Sequence, residues 1–205
     1  MNWSKILDTE LAIKACEIMD NNEARGCIYH NGWHIREMYL YLEKTNEPYD
    51  ECLDWAVLFH DIVYDNQPEK EYRSADMFVK KTAFSGNGCN LTFEDRCRVV
   101  NMIYATENHI CENSNQSAII RADLHALADP VQTFRNYKLI LDESMYLYKI
   151  DEKTFADNNI KFMSGLYDRV EKNMETDPNH REFYKDVKRG IVSTINLSRI
   201  LKGDL

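Results

Sequence analysis

The chain has 205 residues, enough for one large domain, and its 44% of hydrophobic residues supplies a full core, which excludes intrinsic disorder. Thirty-four Asp and Glu against 25 Lys and Arg leave a net charge of −9. That is the wrong sign for wrapping duplex nucleic acid, but no bar to a small anion held locally with a metal. Six cysteines, at 16, 27, 52, 89, 97 and 111, include no Cys-x-x-Cys pair and read as reduced, buried thiols of a cytoplasmic protein. The first residues carry no apolar signal core, and no segment approaches the roughly 20 apolar residues of a membrane span.

Helical periodicity recurs along the chain and alternating strand patterns are scarce. A first helix is expected over about 9–21. A loop through Gly26 and Asn31-Gly32 leads to a second, near 33–44. Asn46, Pro48 and Asp50 punctuate before a third, over 51–63. Pro68 suits the first position of a fourth helix running to about 81. The stretch Ser85-Gly-Asn-Gly-Cys-Asn90 reads as a loop. Thr92, followed by Glu94 and Asp95, marks a helix start, with the helix reaching about 105. A polar stretch over 107–115 contains His109, and another helix covers 117–128. Asp129-Pro130 reads as a cap plus first-turn proline, and Asp177-Pro178 repeats that signature. Long amphipathic segments fill 131–150 and 154–174. With no repeat, low-complexity tract or linker, the fold expected is all-α: one domain over 1–205 with eight or nine helices.

The third segment holds the most informative run, Trp55-Ala-Val-Leu-Phe-His60-Asp61-Ile-Val-Tyr64. His60 shares a helix face with Leu53 and Val57, so a histidine and a carboxylate enter an apolar environment together. Both cost free energy there unless paired, and a metal ion is the simplest partner for imidazole and carboxylate. Two more residues complete a shell. His34 opens the second helix one turn before Met38. Asp123 projects from the apolar stripe of Ile119 and Leu127. His34, His60, Asp61 and Asp123 would form a nitrogen and oxygen site for a divalent cation, with Mn, Fe, Co, Ni, Zn and Mg all compatible.

The order His, then His-Asp, then Asp, on separate helices, resembles the HD superfamily of metal-dependent phosphohydrolases. Tyr29-His30-Asn31-Gly-Trp-His34-Ile35, Phe59-His60-Asp61-Ile-Val-Tyr64-Asp65, Glu71-Tyr-Arg-Ser74-Ala75 and Arg121-Ala-Asp123-Leu124 look like consecutive blocks of one branch, that of predicted phosphohydrolases of undefined substrate. They span about 29–129; the segment from about 130 onward resembles the branch only in helical pattern and in Phe162 to Gly165. The resemblance implies that His34, His60, Asp61 and Asp123 are the metal ligands. It implies one metal ion, because two-metal members carry further histidines before the last aspartate and His109 is the single one here. Where the stringent-response hydrolases of the superfamily carry a Glu-Asp pair, this chain has Tyr64-Asp65, which counts against that alarmone as substrate. Asp65 stays a candidate proton acceptor.

Glu71 is the other candidate for acid–base work. It shares a face with Ala75 and Phe78, where partial burial would raise its pKa; it also reads as a helix-start carboxylate favoured by the macrodipole. His30 is a candidate for donating to a substrate phosphate or for orienting a metal ligand, and also reads as capping the turn; His109 is a candidate for approaching the metal or a substrate phosphate. Arg73 leads the cationic candidates, ahead of Lys70 and Arg121, although each also reads as a solvated helix face. Tyr137, Tyr146 and Tyr148 read as core or interface, and helix-on-helix homodimerisation is open. The expected function is hydrolysis of a small phosphorylated compound, a nucleotide first, through metal-activated water. The alternative is a non-catalytic metal- or nucleotide-binding regulatory module; a purely structural helical protein would leave the ordered blocks unexplained.

Overall fold

The computed structural model describes residues 4–83 and 89–204. Among the described residues there are nine α-helices and no strand: α1 Glu10–Ala24, α2 Gly32–Lys44, α3 Glu51–Phe59, α4 Lys70–Thr82, α5 Phe93–Asn108, α6 Ser114–Leu124, α7 Pro130–Tyr148, α8 Glu152–Thr176 and α9 Arg181–Lys202. The expected all-α class and helix number hold. Most of the loop expected at 85–90 lies outside the described residues.

Local chemistry sets the helix starts. Thr9, Asn31, Asp50, Thr92, Asn113, Asp129 and Asp151 each accept a first-turn N–H through the side chain. Thr92 and Asp95 form a reciprocal capping box, and Pro130 occupies the first turn after its Asp129 cap. The second Asp-Pro pair behaves differently. Asp177 makes no side-chain cap, and Pro178 opens only a short 3-10 turn before α9. Its carboxylate is taken instead by Ser117, by Arg121 at 3.0 Å and by His180 at 2.8 Å.

Pro68 does not begin α4. The helix starts at Lys70, after Glu69 in the left-handed region at φ 59°, and the Pro68 carbonyl accepts from Arg73 Nε at 3.1 Å. A turn over 65–68, fastened to Arg73, outweighs the proline's helical preference.

α3 is the axis of the core: residues 52–59 are all buried. Trp55, Phe59 and Phe78 pack ring to ring with centroids 5.3–6.3 Å apart. The helix stops at Phe59 rather than at residue 63. His60 closes the last turn on the Ala56 carbonyl, and Val63 N–H is drawn to Ser74 Oγ of α4 at 3.2 Å. The His-Asp pair therefore sits where the chain leaves the helix. α8 and α9 pack along each other, and α9 also presses on the turn after α6. There a Cβ on Gly190 would lie 1.9 Å from the Leu127 carbonyl oxygen, so only glycine permits the approach.

All six cysteines are free. Cys27, Cys52, Cys89 and Cys111 are buried as expected; Cys16 is half-buried and Cys97 exposed. Among the described residues no helix is long and apolar enough to cross a membrane.

Candidate metal centre

Four residues from three separate parts of the chain come together beside the end of α3. His60 is 1% exposed. Its Nδ1–H donates to the Val57 carbonyl at 2.9 Å, which leaves Nε2 as the ligating nitrogen of the neutral ring. Nε2 lies 3.1 Å from Asp61 Oδ2 and 3.9 Å from Asp123 Oδ1, yet makes no aligned hydrogen bond. His34, buried in the first turn of α2, brings Nε2 to 3.2 Å from Asp123 Oδ1 and 4.0 Å from Asp61 Oδ2. His34, His60 and Asp123 offer ligand atoms all within 4.8 Å of one another, and Asp61 borders both imidazoles.

A divalent cation fits His34, His60 and Asp123, with Asp61 at the edge of the group. Ligand atoms about 2.1 Å from one ion are separated by about 3.0 Å at right angles and about 4.2 Å across it. His34 Nε2 and Asp123 Oδ1, 3.2 Å apart, are close to the first value, and His60 Nε2 and Asp123 Oδ1, 3.9 Å apart, approach the second. Asp61 lies 3.1 and 4.0 Å from the two imidazoles but outside the three-residue group. The buried Nε2 without an aligned partner is what a ligand awaiting an ion requires.

The electrostatics agree. Burial opposes charge on His60, but Asp61 and Asp123 overcome it and raise the imidazole to about 9. Burial likewise opposes ionisation of the two aspartates. His60 nevertheless holds Asp61 below the ordinary carboxylate range, and His109 with His34 does the same for Asp123. The carboxylates thus create a potential that favours a cation.

His109 joins the group. It ends α5 in the left-handed region, at φ 53°, and its Nε2 meets Asp123 Oδ2 at 3.0 Å. The turn is clamped by Asn173 of α8, which is fully buried: Asn173 Nδ2 donates to the His109 carbonyl and Asn173 Oδ1 accepts from Cys111 N–H, both at 2.8 Å.

His30 is fixed from the other side. Its Nδ1 lies 2.5 Å from Glu143 Oε1, and Glu143 also accepts the backbone N–H groups of Tyr29 and His30 at 2.8 and 3.0 Å. Glu143 is 1% exposed, and burial opposes its charge, but His30 and these donors keep its carboxyl below the usual range. His30 stacks on Tyr64 at 3.8 Å, and Lys70 Nζ stands 3.8 Å over the Tyr64 ring.

His30, Asp61, Lys70, Glu71, His109 and Asp123 line one end of a cavity of about 280 Å³. Glu71 is half-buried there and makes no hydrogen bond or ion pair among the described residues. Asp65 and Arg73 lie outside this lining: Arg73 grips Asp65 through two bonds, 2.6 and 2.9 Å, at the protein surface. Lys70, not Arg73, is the cation at the cavity. Arg121 is not a solvated face, and it lies outside the cavity lining. It is 2% exposed and paired with Asp177 and Glu47. Of the tyrosines, Tyr137 lines the cavity, while Tyr146 covers Gly26, whose φ is 95°.

Sequence reading missed Glu143 and Asn173. Both left a signal: Glu143 follows Asn136 and Ile140 by seven and three residues, and Asn173 follows Leu166 and Val170 likewise, so each is a polar residue on an inward stripe. No protein-family model, curated protein or solved structure matches the chain, so the chemistry of the site is read from its own geometry.

Proposed function

We propose that the chain is a metal-dependent phosphohydrolase of HD type, acting on a small phosphorylated compound, a nucleotide first. The observation that supports it is the convergence of His34, His60 and Asp123, with Asp61 beside both imidazoles, next to a cavity lined by Asp61, Asp123 and Lys70. A divalent cation held by these four would supply Lewis-acid chemistry at phosphorus. Lys70, steadied over Tyr64, attracts a phosphate oxygen. His30, its Nδ1 held by Glu143, is oriented with its ring in the cavity lining as a contact for the substrate. Glu71 is a carboxylate with no competing hydrogen bond and takes up the proton released by the attacking water. His109 holds the outer oxygen of Asp123 and so fixes the carboxylate's orientation.

The test is the metal content of the isolated protein together with hydrolysis of a nucleotide panel in Mn, Fe, Co, Ni, Zn and Mg. Asp61→Ala should abolish turnover while keeping the helical circular-dichroism spectrum. A wild-type protein that binds metal but hydrolyses no phosphate ester would overturn the reading in favour of a regulatory module.

A further inference from the structure

We propose that the half of the cavity remote from the metal ligands is a subsite for a flat, uncharged ring of nucleobase type. On this proposal the substrate is a monophosphate, and di- and triphosphates are rejected. This narrows the phosphohydrolase reading and rests on it.

Charge carries the first part. Asp61, Glu71, Glu107 and Asp123 line the cavity, against Lys70 as its one lysine or arginine among the described residues. Glu143 lies buried behind His30. A divalent ion and Lys70 balance only part of this negative charge, and each further phosphate adds an anion with no partner. Of the nearby guanidinium groups, Arg73 is paired with Asp65 and Arg121 with Asp177 and Glu47, while Arg169 lies over the Phe162 ring outside the cavity lining.

Shape and chemistry carry the second. Away from the ligands the cavity runs between α7 and α8, walled by Tyr137, Ile140, Phe155, Phe162, Met163 and Leu166. Two amides break the apolar surface. Asn159 donates to Ser198 Oγ at 2.9 Å, which leaves its Oδ1 as an acceptor. Asn136 accepts from Arg135 Nε at 3.0 Å, and its Nδ2 is buried against the Tyr29 hydroxyl. Apolar faces with an amide acceptor suit the faces and an N–H edge of a heterocycle; they offer nothing to a phosphate chain. At about 280 Å³ the cavity is also at the small end of ligand sites, which run roughly 300–1,000 Å³.

The test compares nucleoside monophosphates with the matching di- and triphosphates and with methyl phosphate, using manganese-loaded protein. It adds calorimetric binding of the phosphate-free nucleosides to metal-free protein. Ile140 is half-buried on the cavity wall, so Ile140→Trp fills the subsite without emptying the core. Wild-type kcat/KM should favour monophosphates over triphosphates by about 100-fold, and Ile140→Trp should cut the ratio of nucleotide to methyl phosphate kcat/KM at least about tenfold. Nucleosides should bind the wild type and not the variant. Equal or better turnover of triphosphates, an unchanged ratio in folded Ile140→Trp, or no nucleoside binding to the wild type would overturn the proposal. The wild-type comparisons need no variant to fold. If no ester is hydrolysed yet nucleosides bind and Ile140→Trp prevents it, the phosphohydrolase reading fails and the subsite stands.

Discussion

Binding of a divalent cation should displace a proton, and the number can be worked from the site. In the metal-free protein the carboxylates of Asp61 and Asp123 overcome burial and hold His60 protonated up to about pH 9. Imidazole ligates only as the neutral ring. At pH 7.5 a group of that pKa is roughly 97% protonated, so about one proton leaves for each ion bound. The competition weakens binding at pH 7.5 by roughly 30-fold, about 2 kcal/mol, relative to alkaline solution. Below pH 9 the apparent dissociation constant should rise about tenfold for each unit that the pH falls. Titration calorimetry in buffers of different ionisation enthalpy reads the proton count from the slope of observed against buffer enthalpy. The slope should be near one at pH 7.5, about one half at pH 9, and vanish above roughly pH 10.5. His60→Gln should lose both the slope and most of the affinity. Tight binding with no proton release at pH 7.5 would refute the reasoning, because His60 would then be neutral before the ion arrives or would not ligate it.

Asn173→Ala should destabilise the protein by about 2–5 kcal/mol in urea unfolding, because it leaves the buried His109 carbonyl and Cys111 N–H unpaired at about 1–3 kcal/mol each. A loss under about 1 kcal/mol would show that the clamp is incidental. Metal-free stability should peak between about pH 4.5 and 6.5, followed as the urea midpoint against pH. His60 is raised from 6.5 to about 9, so its contribution is complete below 6.5 and lost as the pH climbs through 9. Asp61, Asp123, Glu143 and Asp177 are held below their ordinary values, so their contributions exist above about pH 4 and are lost as the pH falls further. Bound metal keeps His60 neutral and should remove the alkaline decline; a metal-free protein that grows more stable from pH 6.5 to 9 would contradict this assignment.

The helices and four candidate ligands were legible because their signals are local. Caps such as Thr92 and Asp129 act within three residues, and His60 and Asp123 betray themselves by standing on apolar stripes. What escaped depends on partners far along the chain. The two Asp-Pro pairs look alike in sequence. Asp129 has no distant partner among the described residues and caps α7, whereas Asp177 is claimed by Arg121, Ser117 and His180. Pro68 promised a helix start, but the bond from Arg73 to its carbonyl and the Asp65–Arg73 pair hold it in a turn. Lys70 outranks Arg73 at the cavity for the same reason: one guanidinium is already spent, and the ammonium lies over Tyr64. Glu143 reaches His30 across 113 residues, a distance that periodicity does not bridge.

The clamp on His109 also imposes a sequence in time. Asn173 is made 64 residues after His109, and the four candidate ligands are all synthesised before it. A nascent chain therefore owns its ligands while it still lacks both the bracket that aims His109 and the far wall of the cavity. The competent pocket is a late product of folding, and the C-terminal helices are the part of the molecule that closes it.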